Sequence, residues 1–181
     1  LAQVVVGLGN PGPEYGETRH NVGQRVVDAL AHDAHRPWHR EGQALVARAQ
    51  WRGEALYLVK PLAFMNVSGP VVAAALRALG ADPADAILVY DDIDMALGSV
   101  RIRMKGRHGG HNGMRSVIEV LGTSDVRRVK VGIGRPDTRA EVPDHVLSTF
   151  EPDELPVVEA AVATACERVR SLLNSAQRGT P

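Results

Sequence analysis

One cysteine in 181 residues excludes an internal disulfide. Cys166 stands among Val162, Ala165 and Val169 at helical spacing, as a buried thiol in a reducing compartment would. Aromatic residues make up only 4%, too few for a platform that grips unpaired bases by stacking. No stretch approaches the roughly 18 consecutive apolar residues of a membrane span. Leu1 to Leu8 runs straight into a turn without a basic leader, so no signal peptide is expected and the cytoplasm is the default compartment. No serine or cysteine sits on a recognisable nucleophile elbow, which favours direct attack by water over a covalent intermediate. Net charge is also absent, with 21 basic residues against 21 acidic ones.

That neutrality is an average over unlike regions. From Arg101 to Arg135 there are nine basic residues (Arg101, Arg103, Lys105, Arg107, Arg115, Arg127, Arg128, Lys130 and Arg135) and two acidic ones, Glu119 and Asp125. Asp82 to Asp94 carries five aspartates and no base. One region can attract phosphates while the rest keeps the chain neutral. The length suits a single domain spanning residues 1–181, with a frayed tail over 175–181 where core-forming residues run out.

Gln3 to Leu8 reads as a central strand stopped by GNPGP, and Ala86 to Tyr90 as a second buried strand ending at Asp91. Val22, Val26, Val27 and Leu30 repeat at helical spacing with Asn21 as the cap, which puts His20 at the mouth of a helix. Ala44 to Ala49 and Ala55 to Val59 flank an Arg52-Gly53 turn as a hairpin. Pro70 at the first turn and Gly80 after the last mark a helix over Val71 to Leu79. Ser99 to Met104 alternates like an edge strand with a cationic face, and Lys105 to Gly113 is a glycine-rich loop. A helix from Met114 to Leu121, a strand from Val126 to Ile133, a weakly patterned segment from Asp144 to Phe150 and a helix with its stripe from Leu155 to Leu173 complete the chain. Strand, loop and helix in alternation argue for an α/β domain with some parallel pairing.

The polar residues that chemistry could use lie mostly at the ends of these apolar runs. They are Asn10, His20 with Asn21, Asn66, Asp91 with Asp92, and His111 with Asn112. A neutral imidazole can take a proton from water, and works better when a carboxylate accepts its other ring proton. Asp91 is the natural partner for His20, because strand C-termini open into the crevice of an α/β sheet. Asparagine side chains both donate and accept, so Asn66 and Asn112 suit a peptide-like substrate. Blander roles stay open: a turn for Asn10, a cap for His20, loop closure for Asn66 and Asn112, and a merely solvated basic strand.

GLGNPG has glycines in the manner of a dinucleotide loop, but Pro11 and Pro13 remove amides and no helix starts there. His108 and His111 with nearby aspartates raise a zinc or manganese site, although Gly109-Gly110 splits the pair and a metal would leave the asparagines without a role. Asp92 and Asp94 are expected to close the turn before Gly98. Arg101, Arg103, Lys105, Arg107, Arg128 and Lys130 could hold a phosphate backbone beside the cleft. An RNA-binding module would need that basic strand without needing Asn10, His20, Asn66 and Asp91 together.

The segments VVGLGNPGPEYGETRHNVG at 5–23, FMNVSG at 64–69, DDID at 91–94, GRHGGHNGMRSV at 106–117 and RVKVGIGRP at 128–136 resemble, in order and spacing, the bacterial peptidyl-tRNA hydrolases. The resemblance covers the chain to about Phe150. It implies a monomeric, metal-free α/β protein without cofactor, whose twisted mixed sheet is packed between helices. It also implies cleavage of the ester between a nascent peptide and the 3′ end of tRNA. His20 would then be the base toward water, Asp91 its orienting partner, and Asn10 a contact to the terminal ribose or the water. Asn66 and Asn112 would bind the peptide backbone, His111 would shape that site and Tyr15 would line the pocket near the tRNA end. Arg103 and Lys130 would contact tRNA phosphates, with Lys105 and Arg107 beside them. Three features depart from the pattern: Arg107 where glycine is usual, Tyr90 where histidine is common and which would lie outside the His20 relay, and a short, atypical C-terminus.

Overall fold

The computed structural model describes residues 2–178. Seven strands form one sheet: β1 (Ala2–Gly7), β2 (His39–Glu41), β3 (Ala44–Trp51), β4 (Glu54–Pro61), β5 (Ala86–Asp92), β6 (Val100–Arg103) and β7 (Arg127–Gly132), in the spatial order β2-β3-β4-β1-β5-β7-β6. The central strands β4, β1, β5 and β7 run parallel, while β2, β3 and β6 pair antiparallel at the two margins. The twisted mixed sheet between helices is thus the architecture expected.

Alternation along the strands divides the core. Val5, Ile87, Val89, Val129 and Val131 pack under α1 (Val22–Asp33) and α5 (Leu155–Arg178). Val4, Val6, Leu88 and Tyr90 pack under α2 (Ser68–Ala78) and α3 (Asn112–Leu121). Strands buried on both faces must be apolar throughout, which is why β1 and β5 read as continuous hydrophobic runs. Cys166 lies in the first layer, where its thiol donates to the Val26 carbonyl at 3.7 Å and burial pushes it up to about 11.

From β1 the chain goes to β4 on one side and then returns to β5 on the other. The carboxyl ends of β1 and β5 therefore flank a crevice at a topological switch point, the usual place for a ligand in an open α/β sheet. Helix α1 is drawn tightly onto this point, since a Cβ on Gly23 would come within 2.2 Å of the Val89 carbonyl oxygen. That contact brings the residues just before α1 next to those just after Val89.

Several local expectations change. Helix α2 begins at Ser68 instead of Val71, after a 3-10 turn over Met65–Val67, with Pro70 in its first turn as expected. A short helix, α4 (Val142–Val146), runs into the start of the weakly patterned segment, and the polar strand β2 is an addition to the hairpin. Helix α5 includes Ser175 to Arg178 of the tail expected to fray, and 179–181 lie outside the described residues. Among the described residues no helix is long and apolar enough to cross a membrane.

Candidate active site

At the switch point His20 sits in a 3-10 turn (Arg19–Asn21) between β1 and α1, and Asp91 is the sixth residue of β5. His20 Nδ1 approaches Asp91 Oδ2 at 2.7 Å, with the histidine side chain 12% exposed and the aspartate 1%. The neighbouring Arg19 fixes the turn: its backbone N–H donates to Ser148 O, its Nε to Ser148 Oγ, and its Nη1 and Nη2 to the two oxygens of Glu154.

The second oxygen of Asp91 has its own partner. His111, the N-cap of α3, places Nε2 at 2.8 Å from Asp91 Oδ1 while its Nδ1 accepts the Met114 N–H at 3.1 Å. A backbone N–H can only donate, so the proton of a neutral His111 must reside on Nε2 and point at the carboxylate. Burial by itself would raise the Asp91 carboxyl, but the two imidazoles more than reverse that and hold it well below the ordinary carboxylate range. An ionised Asp91 in turn accepts a hydrogen bond from the Nδ1–H of His20. This leaves His20 Nε2 as a lone pair, with no partner for it among the described residues, and His20 lines the cleft.

Asn10 is buried and its orientation is determined by its neighbours. Asn21 clamps its backbone, Oδ1 accepting from Asn10 N and Nδ2 donating to Asn10 O, both at 2.9 Å. This corrects the reading of Asn21 as a helix cap, since its side chain makes no capping bond. The Asn10 Oδ1 accepts the Met65 N–H at 2.7 Å, which fixes the orientation of the amide and leaves its Nδ2 donor unused by Asn21 and Met65. Met65 opens the 3-10 turn that carries Asn66, which links the two asparagine loops.

The cleft has a volume of about 640 Å³ and gathers Asn10, Tyr15, His20, Asn66, Asp91, His111 and Asn112 in one place. Tyr15 meets Phe64 edge to face at 6.1 Å, and Val142, Pro143 and Val146 of α4, with Leu147 just after it, provide an apolar wall. Tyr90 also lines the cleft, its ring 4.8 Å from that of His111, so it lies directly against the relay instead of outside it. His108 also borders the cleft, where its Nδ1 accepts the Gly110 N–H at 2.9 Å. Ligand atoms of His20, Asp91 and His111 all lie within 4.8 Å of one another.

The expected phosphate contacts separate into three situations. Arg101, Arg103, Lys105 and Arg107 are exposed, and Arg107 also borders the cleft. Lys130 borders the cleft as well but is paired with Asp92 at 2.9 Å. Arg128 is buried, contrary to expectation: its Nε donates to Val126 O, its Nη1 to Arg107 O and its Nη2 to Ser124 O. With its donors turned inward it cannot meet a phosphate, and it tethers the 105–110 loop from beneath. Asp92 Oδ1 accepts the Asp94 N–H at 2.8 Å and closes the turn as expected. Sequence reasoning gave Asn21 a different role and missed the second histidine arm, from His111 to Asp91. For the latter, the available signal was a histidine at the start of a helix after a glycine-rich loop.

Comparisons with known proteins span nearly the whole chain. A profile of the peptidyl-tRNA hydrolases matches residues 4–180. The peptidyl-tRNA hydrolase of Symbiobacterium thermophilum is 44% identical over 176 residues, covering 96% of this chain and 93% of that protein. That of Synechocystis sp. is 42% identical, covering 96% and 91%. The crystal structure of peptidyl-tRNA hydrolase from Acinetobacter baumannii superimposes with a TM-score of 0.91 at 30% identity, covering 98% of this chain and 91% of that one. A uridine phosphorylase from Vibrio fischeri, 10% identical with a TM-score of 0.54, shares the fold alone. With the family profile spanning nearly every residue and close relatives matched along nearly their whole length, the chain belongs to the peptidyl-tRNA hydrolase family.

Proposed function

We propose that this chain hydrolyses the ester joining a peptidyl or N-blocked aminoacyl group to the 3′ end of tRNA, and so returns tRNA to use. The observation that carries the reading is the His20 Nδ1 to Asp91 Oδ2 contact of 2.7 Å beside an unpartnered Nε2 in the cleft. His20 Nε2 takes a proton from water as the oxygen attacks the ester carbonyl, and Asp91 stabilises the imidazolium that forms. Collapse of the tetrahedral intermediate breaks the bond to the ribose oxygen, which receives the proton back from His20.

Asn10 directs its Nδ2 donor at the water or the terminal ribose. Asn66 and Asn112 hold the peptide backbone, His111 steadies Asp91 and shapes that end of the cleft, and Tyr15 lines the tRNA end. Arg103, Lys105, Arg107 and Lys130 engage phosphates. No metal takes part in this reading, because His111 Nε2 carries a proton and a protonated ring nitrogen has no lone pair for a cation. The protein acts as a cytoplasmic monomer.

The test is release of tRNA from N-blocked and from free aminoacyl-tRNA in the presence of chelator. His20→Ala should lower turnover about 10²- to 10⁴-fold while tRNA binding and thermal stability stay near wild type. A folded His20→Ala protein with undiminished turnover would end the proposal.

A further inference from the structure

Among the four cations assigned to the tRNA backbone, one is held differently. Arg103, Lys105 and Arg107 are exposed, and among the described residues none has a carboxylate at ion-pair distance. Lys130 Nζ instead lies 2.9 Å from Asp92 Oδ2, with side-chain exposures of 22% and 16%. The carboxylate is not free to swing aside, since its Oδ1 accepts the Asp94 N–H at 2.8 Å and Asp94 is in turn gripped by Arg135. Both partners line the cleft from neighbouring parallel strands. A phosphate that approaches Lys130 therefore meets a fixed anion already bound to it.

We propose that Asp92 is a specificity-determining residue that holds Lys130 in reserve, so that only a phosphate delivered by a correctly seated substrate displaces it. The inference rests on the peptidyl-tRNA reading. RNA that drifts over the basic edge meets Arg103, Lys105 and Arg107 but gains little from Lys130, because exchanging one anion for another releases fewer counterions. A substrate anchored by its ester in the cleft presents a phosphate at high effective concentration and can win the exchange. The arrangement sacrifices affinity for all RNA in order to discriminate in favour of docked substrate.

Asp92→Asn tests this, since asparagine keeps the shape and the acceptor for Asp94 N–H while removing the charge. The expected result is a gain: KM for N-blocked aminoacyl-tRNA and Kd for unrelated RNA both fall about three- to tenfold at low salt, the latter by at least as much. The plot of log KM against log salt steepens by about 0.7–0.9, one additional phosphate contact. Hydrolysis of a minimal aminoacyl ester without tRNA is unchanged, Asp92→Ser repeats the gain, and adding Lys130→Ala erases it. Lys130→Ala in the otherwise native chain should raise KM less than Arg103→Ala does. Unchanged or weaker RNA binding by folded Asp92→Asn would overturn the proposal. The RNA-binding arm needs no turnover, so it decides this question even if the wild-type protein failed to cleave peptidyl-tRNA, a failure that would overturn the functional reading instead.

Discussion

Replacing Asp91 with asparagine should do more than delete a charge, because two N–H donors converge on this carboxylate. His20 Nδ1 and His111 Nε2 face different oxygens of Asp91, at 2.7 and 2.8 Å. An asparagine has only one oxygen for them. His111 cannot move its proton to Nδ1, which accepts the Met114 N–H, so the asparagine oxygen goes to His111 and its NH₂ faces His20. His20 Nδ1 must then accept, and its proton moves to Nε2, the nitrogen that has to take a proton from water. In a Ser-His-Asp triad the corresponding change costs about 10⁴ in kcat through the same tautomer error, and a loss of about 10³ to 10⁴ is expected here.

The tautomer argument makes a sharper claim through a second substitution. His111→Asn keeps a good N-cap for α3 but is too short to reach Asp91. In that background the asparagine at 91 can turn its oxygen to His20, so Asp91→Asn should cost only about 10², the part due to lost charge. The coupling between the two sites would be about 10- to 100-fold, roughly 1.4–2.7 kcal/mol. Single-turnover release of tRNA from N-blocked aminoacyl-tRNA, measured for all four proteins, reads it directly. If the two losses simply multiply, the derivation of the His20 tautomer from the His111 cap is wrong.

Two further outcomes follow from the packing and the electrostatics. The Asp91 carboxyl titrates below its ordinary value, so its contribution to stability is complete above about pH 4 and is lost as pH falls through its lowered folded value. Melting temperatures of wild type and Asp91→Asn should therefore keep their separation from pH 7 to 5 and converge only in stronger acid; convergence already above pH 5 would contradict the lowered value. Gly23→Ala would set a methyl 2.2 Å from Val89 O, which should destabilise the fold by about 1–3 kcal/mol as α1 backs away. Because His20 moves with that helix, turnover at a temperature where the variant is folded should fall by about 10², and native turnover there would show that the contact does not position the histidine.

What could be read from the residues followed from how much of the surroundings each one carries in its own neighbourhood. The buried strands β1 and β5 need apolar side chains on both faces, so their sequence declares them, and the polar residues at their ends mark the crevice. β2 and α4 are too short to show a period. Asn21 has the residue type of a cap, yet a 3-10 turn precedes α1 and leaves Asn21 at φ −95°, ψ 11°, outside the extended geometry a capping side chain uses, so its amide turns back to clamp Asn10. His111 was read against His108 because they are close in sequence, whereas its partner, Asp91, lies across the sheet on β5.

The basic strand marks the limit of this kind of reading most clearly. Alternation puts Arg128 and Lys130 on the same face of β7, and it cannot say what covers that face. The loop through Arg107 supplies one carbonyl oxygen to the first and the segment leading into β7 supplies two more, from Ser124 and Val126, while the second emerges at the cleft beside Asp92. A charge count treats both as available to phosphate. In the folded chain the hydrogen bonds of Arg128 go to backbone carbonyls of Arg107, Ser124 and Val126, and Lys130 becomes available only when a phosphate replaces Asp92, so the cationic surface that RNA first encounters is smaller than its arginines and lysines suggest.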